Sequence, residues 1–116
     1  MKLFARVEGV HGEEIRRIAR AIDAKSPAIV LGDLNSPSWL TAPRFLAQQG
    51  FVDSFAAVTK DADEHPTWHW RFPRTELKFR LDYIFHSADW KTLASRVLPT
   101  EASDHNLVLS RLELTQ

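Results

Sequence analysis

Ile15, Ile18, Ala19 and Ile22 recur at helical spacing, while Glu13, Glu14, Arg16, Arg17 and Arg20 fill the remaining faces. That pattern predicts an amphipathic helix over residues 13–24. Gly12 precedes it, Glu13 and Glu14 suit the positive end of a helix dipole, and Lys25-Ser26-Pro27 stops it, because proline cannot continue a helix. Residues 2–7 alternate loosely and read as a short first strand, an isolated edge or a disordered start. Residues 28–31 are almost wholly apolar without alternation, which predicts a strand covered on both faces. A second helix is expected from Thr41 or Pro43 to Gln49, with Gly50 as its stop. Residues 51–55 read as a connection or brief strand and 61–66 as a polar loop. Three further strand candidates follow at 67–72, 79–86 and 106–114. Helices interspersed with short apolar strands indicate α/β or α+β architecture.

A chain of 116 residues suits one domain, taken as 1–116. Its 44% apolar content, with seven Phe and four Trp, supports a packed core. Fifteen basic and fifteen acidic residues cancel, so no global positive field recruits nucleic acid. A phosphate substrate stays open, because a bound cation can supply positive charge locally. There is no cysteine, hence no disulfide framework and no thiolate chemistry. No apolar run approaches a membrane span and the first residues break their apolar run too early for a signal peptide. The expectation is a cytoplasmic protein without membrane contact.

Two polar clusters stand at predicted strand edges: Gly32-Asp33-Leu34-Asn35 behind the apolar run, and Ser103-Asp104-His105-Asn106 before the last strand. Both are rich in turn formers, so a plain turn and an active-site edge are competing readings. Asp82 sits inside an otherwise strand-like stretch, where burial without a partner is costly. A histidine would serve, since the carboxylate fixes its tautomer and raises its basicity; spacing does not choose among His11, His65, His69, His86 and His105. Without cysteine or a compact histidine motif a zinc site is not expected. The four tryptophans are read as core or interface, and the arginines of the first helix as a solvated face.

In order, the runs GDLN, TWHW, RLDYIF and SDHN resemble the C-terminal half of the endonuclease/exonuclease/phosphatase superfamily, over nearly the whole chain from the first helix onward. The resemblance implies half of a two-sheet α/β sandwich, one mixed or antiparallel sheet with helices on one face, and divalent-metal-dependent hydrolysis of phosphodiesters or phosphomonoesters. By resemblance Asp33 orients or deprotonates the attacking water and Asn35 holds a phosphate oxygen. Asp82 partners His105, His105 stabilises the transferring phosphoryl group, and Asp104 contributes to the environment of Mg²⁺ or Mn²⁺. Trp68 matches a recurring aromatic beside the site. A hard cation among carboxylate and water oxygens would neutralise charge growing on the phosphoryl oxygens.

The family's N-terminal half, with its substrate-binding asparagine and the glutamate that is its principal metal ligand, has no counterpart here. Neither Glu8 nor Glu13 sits in a matching context, and His11 receives no role. The resemblance therefore implies weak or absent metal binding by this chain alone. It also implies an apolar sheet face that a homodimer or a separate N-terminal half would cover. The competing reading is a catalytically inactive oligomeric or partner-binding fragment that keeps the fold. Nucleic acid and small phosphoesters both remain as substrates.

Overall fold

The computed structural model describes the backbone of residues 2–23 and 25–115, and side chains from residue 12 onward within those ranges. In chain order the elements are α1 (Lys2–Ala21), β1 (Ile29–Asp33), α2 (Thr41–Gln48), β2 (Val52–Asp53), α3 (Ser54–Val58), β3 (Trp68–Phe72), β4 (Thr75–Phe79), β5 (Asp82–His86), β6 (Trp90–Leu98) and β7 (Leu107–Leu114). A single 3-10 turn (Ala62–Glu64) interrupts the expected polar loop.

The strand expected at residues 2–7 is instead the beginning of α1. In the sequence Leu3, Val7 and Val10 stand four and three residues apart, a helical spacing. Glu13 and Glu14 consequently lie mid-helix rather than at its positive end. Gly12, read as a boundary, is an approach point: a Cβ there would stand 3.0 Å from Thr41 Cγ2. Its bare backbone lets α1 close on the start of α2, against a helix penalty of about 1 kcal/mol for glycine. The side chain of His11 and the expected helix end at Ala24 lie outside the described residues.

At its C-terminus α2 ends in two reverse hydrogen bonds, Gly50 N–H to Ala47 O (3.1 Å) and Phe51 N–H to Leu46 O (3.0 Å). This is the Schellman arrangement, which requires a left-handed residue between them. Gly50 supplies it at φ 91°, as expected of that glycine.

All described strand pairs are antiparallel and fall into three ladders, β1-β5-β2, β3-β4 and β6-β7. In the first ladder Val30 opposes Phe85 and Gly32 opposes Tyr83. These residues turn toward the helices, where Ile15, Ala42, Leu46, Tyr83 and Phe85 form the core. By the pleat, Leu31 with Ile84 and Asp33 with Asp82 take the opposite face. There the expected two-sided cover of β1 fails: it is an edge strand, and Leu31 is 68% exposed. Leu107 on β7 is 60% exposed.

Beneath the helix-facing side, Arg80 is 4% exposed and joins separate parts of the chain. Its Nη1 lies 2.7 Å from Asp53 Oδ2 and its Nη2 3.0 Å from Asp63 Oδ1. The guanidinium also sits 4.8 Å from the Tyr83 ring centre and 5.9 Å from that of Phe55. Burial pulls its pKa down, but the charge of Asp53 and the hydrogen bonds to Asp53 and Asp63 reverse this and leave it raised. The Tyr83 hydroxyl donates to the backbone carbonyls of Ser36 (2.6 Å) and Arg80 (2.8 Å), and burial pushes its phenol far above its ordinary range. The loop after Asn35 is thereby anchored to β5.

Candidate functional site

Asp33 closes β1 and Asp82 opens β5, and the register sets them directly opposite one another. The strand ends here because Gly32-Asp33-Leu34-Asn35 turns. Asp33 Oδ1 accepts the Asn35 N–H at 2.7 Å, and Asn35 takes the left-handed region at φ 52°, which asparagine tolerates better than most residues. Leu34 N–H still reaches Leu81 O at 2.9 Å. The stretch is therefore both a turn and a site edge: one oxygen of Asp33 holds the turn and the other faces outward to His105.

His105 arrives from a different ladder. Its Nδ1 lies 2.9 Å from Asp82 Oδ2 and its Nε2 3.7 Å from Asp33 Oδ2. Two backbone hydrogen bonds, His69 N–H to Asp104 O (3.1 Å) and Asn106 N–H to Thr67 O (2.7 Å), make the bridge between Trp68 and His105 that holds its segment against the start of β3. Asn106 adds a side-chain bond to Pro66 O (3.2 Å), and the His105 N–H donates to Ser103 Oγ at 3.0 Å. The backbone that carries the imidazole is thus anchored by bonds other than those the ring makes to the two carboxylates.

Of the five expected site residues, Asp33, Asp82 and His105 converge, and Asn35 stays at the edge through its bond to Asp33. Asp104 is exposed, 3.4 Å from the Ser103 hydroxyl at its Oδ1. Trp68 stacks on Phe79 with ring centres 6.3 Å apart, a packing role beside the site. Of the other histidines, His86 is buried and spends both ring nitrogens on Ser87 O (2.8 Å) and Thr92 Oγ1 (2.7 Å). His65 makes an edge contact with Phe55.

The electrostatics of the cluster favour a proton on His105. Burial lowers its pKa, but the hydrogen bond and charge of Asp82, then the charges of Asp33 and Asp104, outweigh it and raise the pKa above the ordinary histidine value. A shallow depression of about 510 Å³ opens in front of it, lined among others by Leu31, Ile84, Leu107 and Val108.

Among the described residues, Asp33, Asp82 and His105 form a group whose ligand atoms lie within 4.8 Å of one another, a set able to hold a metal ion. Within it, Asp82 Oδ2 and His105 Nδ1 are engaged with each other, so the atoms open to an ion are the other carboxylate oxygens and His105 Nε2. That chemistry suits a hard cation keeping most of its waters.

Sequence reasoning passed over Thr67. Fully buried, it places its Oγ1 2.6 Å from Asp82 Oδ2 and accepts the Leu81 and Asp82 N–H groups at 2.9 and 3.0 Å. The cue was its place at the head of the second of the four ordered runs, between a polar loop and an aromatic strand.

Residues 4–105 match the sequence model of the Endonuclease/Exonuclease/phosphatase family. The crystal structure of an endonuclease/exonuclease/phosphatase from Beutenbergia cavernae DSM 12333 superposes with a TM-score of 0.74 at 25% identity, over 90% of this chain and 31% of that one. A functionally unknown conserved protein from Enterococcus faecalis V583 superposes with a TM-score of 0.59 at 24% identity, over 78% of this chain and 38% of that one. The chain therefore spans well under half the length of either structure. No curated protein matches it. With the ordered motifs, the antiparallel α+β fold and a family match over nearly the whole sequence, the chain belongs to the endonuclease/exonuclease/phosphatase family.

Proposed function

We propose that this chain carries the water-activating and phosphoryl-stabilising part of a divalent-metal-dependent phosphoesterase, acting on a phosphodiester or phosphomonoester. The observation that carries this reading is the row Asp33–His105–Asp82, in which one imidazole lies against two carboxylates on the same sheet face. Asp33, with Oδ2 turned away from its turn, is the group that takes the proton from an attacking water. His105, held by Asp82 and biased toward its charged form, places positive charge and an N–H against the phosphoryl oxygens as charge grows there. Asn35 at the rim holds another of those oxygens. Asp33, from the converging group, would hold Mg²⁺ or Mn²⁺ with water completing the shell, and Asp104 would contribute to the ion's environment. Bound there, the ion supplies positive charge to the phosphoryl group.

The test is hydrolysis of a generic activated phosphodiester with Mg²⁺, measured on sedimentation fractions of the purified chain. Metal-dependent turnover that follows one defined species and falls about 10²–10⁴-fold in Asp33→Ala supports the reading. Turnover unchanged by Asp33→Ala overturns it.

A second reading rests on the exposed apolar residues Ile29, Leu31, Leu107 and Leu109. In it the chain is an incomplete module whose open face is covered by a second copy or a separate N-terminal half, and catalysis by the chain alone is absent. A stable oligomer without hydrolysis at any Mg²⁺ concentration favours this reading.

A further inference from the structure

The hairpin β3-β4 stands away from the rest of the fold. Residues 70–78 are all exposed, and among the described residues β4 pairs with no strand but β3. A two-stranded hairpin uncovered on both faces is marginal in water and is stabilised by further strands. Its two edges differ. The start of β3 is taken up by the segment 104–106, through His69 N–H to Asp104 O and Asn106 N–H to Thr67 O. β4 leaves its outer edge open along Thr75–Phe79, a template for another strand.

The side chains of β4 decide which strand fits. The register sets Leu77 opposite Trp70 and Phe79 opposite Trp68, so Thr75, Leu77 and Phe79 share the apolar face. Glu76 and Lys78 take the other face, where Glu76 Oε1 lies a loose 3.8 Å from Arg71 Nε and 4.0 Å from Lys78 Nζ. Acid and base thus stand one on each side of Leu77. An antiparallel copy of the same strand, turned about a two-fold axis through Leu77, sets Glu76 opposite the partner's Lys78 and Lys78 opposite the partner's Glu76. It also sets Leu77 against the partner's Leu77, and Thr75 against the partner's Phe79, a β-branched residue facing an aromatic one. Each of these is a favourable cross-strand pair. Moving the axis to Glu76 opposes two glutamates, and moving it to Lys78 opposes two lysines. A slip of one residue sets apolar side chains against charged ones.

We infer that β4 is a self-association edge: two copies of this chain join through Thr75–Phe79 into a four-stranded antiparallel sheet, in the register that faces unlike charges across the axis. The apolar faces of the two hairpins become continuous, with Trp70 and Leu77 of one protomer in a row with Leu77 and Trp70 of its partner. The bridge between Trp68 and His105 puts those two side chains on that same face. Both imidazoles of the dimer therefore lie on one side of the joined sheet. The contact is separate from the apolar face of Leu31 and Leu107, and it does not depend on the proposed chemistry.

The test is sedimentation velocity of the full chain over a dilution series, with each variant checked by circular dichroism for a native fold. The wild type is expected to show a reversible equilibrium between monomer and dimer. Glu76 and Lys78 are both exposed, so their substitution leaves the core untouched. Lys78→Glu and Glu76→Lys each place like charges across the axis twice, and each is expected to weaken the dimer by about tenfold or more. Mixed in equal amounts, the two single variants are complementary again and are expected to regain the wild-type affinity as a heterodimer. The double variant E76K/K78E is expected to regain it alone. Leu31→Glu, on the other apolar face, is expected to leave this dimer intact. A wild type that stays monomeric, single variants that dimerise like the wild type, a mixture that stays monomeric, or a dimer abolished by Leu31→Glu overturns the inference.

Discussion

Asp33 and Asp82 face each other across β1 and β5 as directly opposed residues, one ending its strand and the other beginning its own. Like charges so placed cost a sheet up to about 1 kcal/mol. His105, lying against both, converts that cost into a demand for a proton. The pair is a poor way to build a sheet edge and a good way to hold an imidazolium.

Stability should follow from that demand. The folded-state pKa of His105 is raised: burial opposes this, and Asp82, Asp33 and Asp104 together prevail. The protonated histidine therefore contributes its full stabilisation below about pH 6.5, the unfolded value. The contribution is lost as pH rises through the folded-state pKa. Melting temperatures of wild type and His105→Gln should differ most in acid and converge in mild alkali. A gap that widens with pH would count against the geometry.

Arg80→Met should cost roughly 3–5 kcal/mol in urea unfolding, because it leaves Asp53 part-buried without its cation. Asp63 is more exposed and adds little. Arg80→Lys is expected to recover only part of the loss, since one ammonium cannot reach both carboxylates in the planar fork. Full recovery with lysine would show that charge alone matters here.

Gly50→Ala should destabilise by about 1–2 kcal/mol, the penalty for a side chain in the left-handed region. Nothing lies within 4 Å of the added Cβ, so the effect isolates backbone conformation from packing. A neutral result in thermal melting would mean the turn after α2 can rearrange freely.

Leu31→Glu tests whether the open face is covered in solution. If a second copy covers it, sedimentation at micromolar concentration should show an oligomer that this substitution converts to monomer. A wild-type chain that is already a well-behaved monomer would sink the homodimer.

Much of the site was legible because its motifs sit where an apolar run meets turn formers, as at Leu31-Gly32-Asp33. The choice of His105 over four other histidines came from the ordered motifs, since spacing says nothing of which ladder a segment joins. The strands that went unrecognised carried no usable period. β4 is exposed over nearly its whole length and exists by pairing with β3. β6 shifts register between Thr92 and Ala94, which breaks the alternation a strand would otherwise show. The stretch read as one strand, 79–86, is divided at Arg80-Leu81, where the chain leaves one ladder for another. Residues 2–7 were misread because a six-residue window is too short to separate loose alternation from helical spacing.

The three ladders have a consequence for how the site comes into being. Asp33 and Asp82 belong to the first, Thr67 stands at the threshold of the second, and His105 at that of the third. Each ladder can zip up on its own account, yet none holds a site until all three have met. The geometry of the site should therefore be among the last things to form in folding and the first to dissolve on partial opening. A chain with its full complement of helix and strand by circular dichroism can still be chemically blank at this junction. Hydrogen exchange at the Asn106 amide, bonded to Thr67 O across the seam, would time the moment at which architecture becomes a site.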